Sequence, residues 1–77
     1  MRVAVIVESG VHNFSAYAPD VPGCVSTGRT VEETLSNMQE ALALHLEGLA
    51  EDGTLPQLTC QGFTVEVSLD DQRNSAA

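Results

Sequence analysis

A single run of helical periodicity, opened by Thr30 and closed by Gly53 and Pro56, stands between segments of period two. One helix cannot bury its apolar stripe alone, so the chain is confined to folds in which that helix lies on a sheet. Thr30 and Glu33 form the T-x-x-E capping box, in which each side chain satisfies a backbone N–H of the other, and Glu32 and Glu33 oppose the positive helix end. From Val31 onward, Leu35, Met38, Leu42, Leu46 and Leu49 fall within an arc of about 80° at ~100° per residue. The spacing predicts one buried face on a helix of about 20 residues.

The flanking segments read as strands. Residues 2–8, RVAVIVE, are apolar on both alternating faces, as in a strand covered from two sides. Residues 13–18, NFSAYA, alternate after a hairpin connection, and CVST at 24–27 makes a short third strand. FTVEVSL at 63–69 puts Phe63, Val65, Val67 and Leu69 on one face and Thr64, Glu66 and Ser68 on the other. The expected fold class is α+β, in the order β-β-β-α-β: a small, mostly antiparallel sheet with one long helix on one face. Residues 1–69 form one domain, and 70–77, DDQRNSAA, have nothing to bury and are expected to be a disordered tail.

Between the second and third strands runs YAPDVPGC, where Pro19 and Pro22 fix backbone φ and Gly23 permits a tight bend. The stretch reads as a rigid connection whose chemistry is that of shape.

A chain of 77 residues buries only about 60% of its unfolded surface. One helix covers one sheet face while the first strand is apolar on both, so a homodimer or homotetramer is expected. Eleven acidic residues against three arginines and no lysine give a net charge of −8. That balance opposes direct nucleic-acid binding and favours a basic partner. No apolar run reaches the length of a membrane span, and Glu8 interrupts the N-terminal one before any cleavage site, which points to the cytoplasm. Cys24 and Cys60 are too few for structural zinc and are expected to be reduced and largely buried.

No catalytic or metal constellation emerges. Glu33, Glu40, Glu47 and Glu51 project within about 40° of one another, opposite the apolar arc, as an acidic stripe. Leu44 falls inside that stripe, exposed or held in an interface. A two-metal nuclease site needs carboxylates converging with basic residues on one concave spot, and only Glu8 and Asp20 at strand ends are available for one. His12 lies in the hairpin loop, and His45, at the edge of the apolar arc, is expected to pack partly buried. The expected partner surface comprises Glu8, Tyr17, Asp20 and Val21 with Glu40, Leu44 and Glu47. No cofactor is implied.

The segment from Phe14 to Gln57 resembles the HicB-like antitoxin family: Tyr17-x-Pro19-Asp20-x-Pro22-Gly23-Cys24, then Gly28, Thr30, Glu32 and Glu33. The alanine-rich helix with Glu40 and Ala41, His45-Leu46-Glu47, and the exit Glu51-Asp52-Gly53 before Pro56 continue the likeness. The resemblance implies a partial RNase H-like fold without the nuclease's catalytic carboxylates, and a non-enzymatic antitoxin. Its partner would be a HicA-type toxin, a small basic ribonuclease of double-stranded-RNA-binding-domain type that cleaves mRNA with a histidine, neutralised by occlusion. Complementary charge suits such a pairing. Many family members add a C-terminal DNA-binding segment. The residues after Leu69 leave no room for one, so a short form without it is expected. Two other readings stand beside this one: an orphan regulatory or ligand-binding domain without a toxin, and a metal-dependent RNase H-like nuclease.

Overall fold

The computed structural model describes residues 1–69. Three strands, β1 (Ile6–Ser9), β2 (Phe14–Tyr17) and β3 (Val25–Gly28), precede one helix, α1 (Val31–Glu51). The sheet is antiparallel in the order β1-β2-β3. This is the α+β arrangement that the periodicities predict. The segment expected as a fourth strand, residues 63–69, has no strand partner among the described residues. The tail expected at 70–77 lies outside them.

The helix begins and ends where the local chemistry dictates. Thr30, in extended backbone conformation, accepts the Glu33 N–H at 3.0 Å, the first half of the capping box. At the other end Thr54 N–H donates to the Leu49 carbonyl at 2.8 Å and Gly53 N–H to that of Ala50 at 3.1 Å. With Gly53 at φ 70°, these bonds make a Schellman motif that closes the last turn.

β1 starts at Ile6, four residues later than the apolar run suggests. A strand needs a ladder, and β2 ends at Tyr17, opposite Ile6, before the chain turns at Pro19. Residues 2–5 therefore lie outside the ladder, although Val3 and Val5 still pack against the core.

Cross-strand register sorts the two faces. Val7, Ala16 and Ser26 align on the face beneath the helix, and Ile6, Tyr17 and Val25 align on the other. Small residues let the helix approach closely. At Gly28 an added Cβ would lie 2.6 Å from the Thr34 hydroxyl and 2.7 Å from its backbone nitrogen. Thr34, wholly buried, donates from its hydroxyl to the Thr30 carbonyl at 2.7 Å and accepts at its own carbonyl from the Ser26 hydroxyl at 3.0 Å. Asn37 adds a bond to the Thr27 carbonyl at 2.9 Å. The start of α1 is thus stitched to β3.

Along the helix the buried residues are Thr34, Met38, Leu42 and Leu46, one every four positions. Each of the three apolar ones contributes about 1.5–3 kcal/mol relative to exposure. Successive members of this row are displaced by about 40° around the helix, so α1 crosses the sheet obliquely. Val31 and Leu35, on the predicted arc but off this row, are exposed in consequence. His45, expected to be partly buried, is exposed for the same reason.

Candidate partner interface

The connection from β2 to β3 is two consecutive β-turns. Val21 N–H donates to the Ala18 carbonyl at 3.1 Å, and Cys24 N–H to the Val21 carbonyl at 3.3 Å. Each turn has proline at its second position, and the second turn has Gly23, at φ 85°, at its third, as a type II turn requires. Val21, the residue shared by both turns, is only 1% exposed and joins Ala16, Ala18, Cys24 and Met38 in the core. Expected on the partner surface, it is instead the anchor that ties the double turn to the sheet. A hydrophobic residue bracketed by two prolines gives no sign in sequence of which way it faces.

Asp20 stands at the outer side of the first turn, partly exposed. Its carboxylate accepts the backbone N–H groups of Thr59 and Cys60, both at 2.8 Å, and the Thr59 hydroxyl at 3.2 Å. The bonds from Cys60, then those from Thr59, hold the Asp20 carboxyl below its ordinary value. Sequence reading missed Thr59 and Cys60 altogether, since backbone donors carry no signal in side-chain type. The Cys60 thiol is exposed, contrary to expectation, and is pushed up by its hydrogen bond to Asp20. Burial pushes up that of Cys24.

The remaining predicted residues form two separate surfaces. Tyr17 lies on the sheet face opposite α1, between Ile6 and Val25, with Glu8 exposed two residues beyond Ile6. Ile6, Tyr17 and Val25 all keep substantial exposure, so an apolar row crosses that face. On the helix, Glu33, Glu40, Glu47 and Glu51 are all exposed. Among them Leu44 is 68% exposed, which makes it an apolar point set in an acidic field. Projecting from opposite layers of the molecule, the Tyr17 row and the Glu40–Leu44–Glu47 stripe present two faces.

Among the described residues no group of three or more His, Cys, Asp and Glu is placed to hold a metal ion, and no helix is long and apolar enough to cross a membrane. What the two faces offer chemically is recognition: an acidic helix surface around one leucine, and an apolar row on a sheet.

A small antiparallel sheet carrying one capped helix, entered through the Pro-Asp-x-Pro-Gly double turn, defines a small α+β domain. The model of a family described as HicB-like antitoxin of bacterial toxin-antitoxin systems matches residues 3–73, and the chain belongs to that family. It is 38% identical over 52 residues to an uncharacterised 14.9 kDa protein of the rep-hol intergenic region of Haemophilus phage HP1. That match covers 68% of this chain and 39% of the phage protein. A UPF0150 protein of Helicobacter pylori strain J99 is 36% identical over 52 residues, 68% of this chain and 72% of the relative. No solved structure matches the chain.

Proposed function

We propose that this protein is a non-enzymatic antitoxin that binds a small basic HicA-type toxin and occludes its mRNA-cleaving surface. The exposed acidic face of α1 carries the reading. Glu40 and Glu47 flank Leu44, Glu33 and Glu51 lie further along the same face, and the helix holds no lysine or arginine, so the surface keeps its negative field for a cationic partner. Opposite fields accelerate encounter and compete with RNA for the same basic groups. An apolar residue at the centre of a charged patch is the arrangement expected of an interface anchor. On this reading the three-stranded sheet and its helix serve as a partial RNase H-like binding scaffold, acting in the cytoplasm without contacting nucleic acid itself.

The test is genetic and biochemical. A neighbouring short reading frame encoding a basic protein is expressed alone and with this chain. Growth arrest relieved by the wild-type chain, and not by a Glu40→Lys/Glu47→Lys variant at least as stable as wild type, supports the assignment. Arrest that persists in the presence of the wild-type chain, or RNA cleavage by the purified chain itself with magnesium or manganese, overturns it.

A further inference from the structure

The acidic stripe of α1 and the apolar side of the same helix meet at one residue. Ala43 lines a groove of about 440 Å³ between α1 and the N-terminal segment, walled by Val3, Val5, Leu35, Leu42 and Leu46. Its neighbours on the helix surface, three and four positions away, are Glu40 and Glu47, both exposed. The stripe is thus the outer lip of the groove, and the small side chain at position 43 leaves the crossing from acid to apolar wall open. Glu32, also exposed, lies about 60° around the helix from Leu35 on the Ala43 side and extends the lip by a turn. Leu35 in the wall is 42% exposed, and Phe63, Val65, Val67 and Leu69 are exposed as well, so the chain's own apolar segment does not cover this wall.

We propose that this groove and its acidic lip receive a basic amphipathic helix of a protein partner, with apolar side chains entering between Val3 and Leu42 and lysines or arginines lying over Glu40 and Glu47. The inference rests on the antitoxin reading for the sign of the partner's charge, and it adds where the partner's apolar residues go. Length fits a helix: from Leu35 to Leu46 the wall runs about 16 Å, three turns, which takes apolar residues at i, i+4 and i+7. Chemistry fits it too. Among the described residues Gln39 is the one polar side chain lining the groove, so an occupant has to satisfy its own backbone groups, as a helix does.

Charge selects the flank of that helix. With no lysine or arginine on α1 and a net charge of −8 on the chain, cations over the lip meet an unopposed field and an acidic flank is repelled. Leu44 lies on the far side of Glu40 and Glu47 from Ala43, so the partner's cations are held between two apolar contacts, where water screens them less.

The experiment is titration of the full isotope-labelled chain, followed by NMR, with a capped synthetic peptide of about four helical turns that carries leucines at i, i+4 and i+7 and lysines along one flank. A second peptide has glutamates in place of the lysines. Ala43→Arg fills the crossing with bulk and a cation at an exposed helix position where arginine is a good helix former, so its circular dichroism is expected to match wild type. The lysine peptide is expected to bind about tenfold more tightly than the glutamate peptide at low salt, to shift the amides of Val3, Val5, Leu35 and Ala43, and to lose about tenfold in affinity for Ala43→Arg. No binding of the lysine peptide, equal affinity for the two peptides, shifts confined to the Ile6–Tyr17–Val25 face, or undiminished binding to Ala43→Arg each overturn the proposal. So do contacts between the methyl groups of residues 63–69 and Val3 or Leu35 in the free chain, which would give the groove to the chain's own segment. The antitoxin reading is tested separately by growth. An Ala43→Arg chain that relieves toxin arrest as fully as wild type overturns the groove and leaves that reading standing, whereas a wild-type chain that binds the lysine peptide in the groove yet relieves no arrest supports the groove and removes the toxin.

Discussion

The Asp20 carboxylate and the Cys60 N–H, 40 positions apart in sequence, are joined by a 2.8 Å hydrogen bond, and Thr59 N–H donates to the same oxygen. The acid of the double turn thereby serves the chain itself. It is a clamp on the segment that follows the helix. Because these bonds favour the ionised form, they hold the Asp20 carboxyl below its ordinary value. A depressed carboxyl contributes stability that is fully present above the unfolded-state pKa and lost as pH falls through the folded one. Hydrogen exchange at Thr59 and Cys60 is therefore expected to stay slow from neutral pH to about 4 and to accelerate below that, beyond the intrinsic pH effect. Asp20→Asn, which keeps one acceptor oxygen and loses the charge, should exchange faster at neutral pH and show no such acid step. Equal protection of those amides in Asp20→Asn and wild type at pH 7 would show that the clamp is unimportant.

Gly28 is held to glycine by proximity. A Cβ there would come within 2.7 Å of the Thr34 backbone nitrogen, an atom fixed at the helix start by its own hydrogen bond to the Thr30 carbonyl at 3.0 Å. Gly28→Ala must lift α1 from β3, and overpacking of this kind costs about 1–3 kcal/mol. For a domain this small each kcal/mol corresponds to about 4–8 °C in melting temperature. Thermal denaturation followed by circular dichroism is expected to show a fall of that order. A melting temperature within a degree of wild type would mean that the close approach carries no constraint.

Gly48 is the counter-case, since it lies inside α1 with no atom within 4 Å of an added Cβ. Gly48→Ala should stabilise the protein by about 0.8–1.0 kcal/mol through helix propensity alone. The same melt that registers a loss at Gly28 should register a gain here, so the pair separates steric from conformational roles of glycine in one measurement.

The parts of the fold that were legible in sequence are those specified by neighbours along the chain. Thr30 with Glu33, and Gly53 with the residues on either side, define the helix ends through bonds spanning three to five positions. The double turn was legible because Pro19, Pro22 and Gly23 restrict their own backbone. Where partners are distant, the reading lost its hold. The first strand was drawn four residues too long at its start, because an apolar run does not reveal that β2 ends opposite Ile6. His45 was drawn inward because an averaged helical wheel cannot contain the oblique crossing that follows Thr34, Met38, Leu42 and Leu46. Strand periodicity at 63–69 was visible, but the edge that such a strand pairs with is not a local property. Of the predicted interface residues, Val21 was misjudged and Asp20 was found engaged with Thr59 and Cys60, while Tyr17, Glu8, Glu40, Leu44 and Glu47 are exposed.

Glu47 offers a test in which stability and binding move in opposite directions. It lies four residues before Glu51, near the negative end of α1, where the last turn has no basic residue. A like-charge pair and an acid at that terminus each cost a few tenths of a kcal/mol. Glu47→Lys removes both penalties and places a cation where the helix dipole favours one, so the melting temperature should rise by about 2–5 °C. If the acidic stripe receives a basic toxin, the same substitution lowers the association rate at low salt, and the difference from wild type shrinks as the Debye length falls toward 3 Å at about 1 M salt. Stopped-flow association at several ionic strengths measures this directly. A more stable variant that binds the toxin as fast as wild type at low salt would remove the helix stripe from the interface and leave the Ile6–Tyr17–Val25 face as the surface to examine.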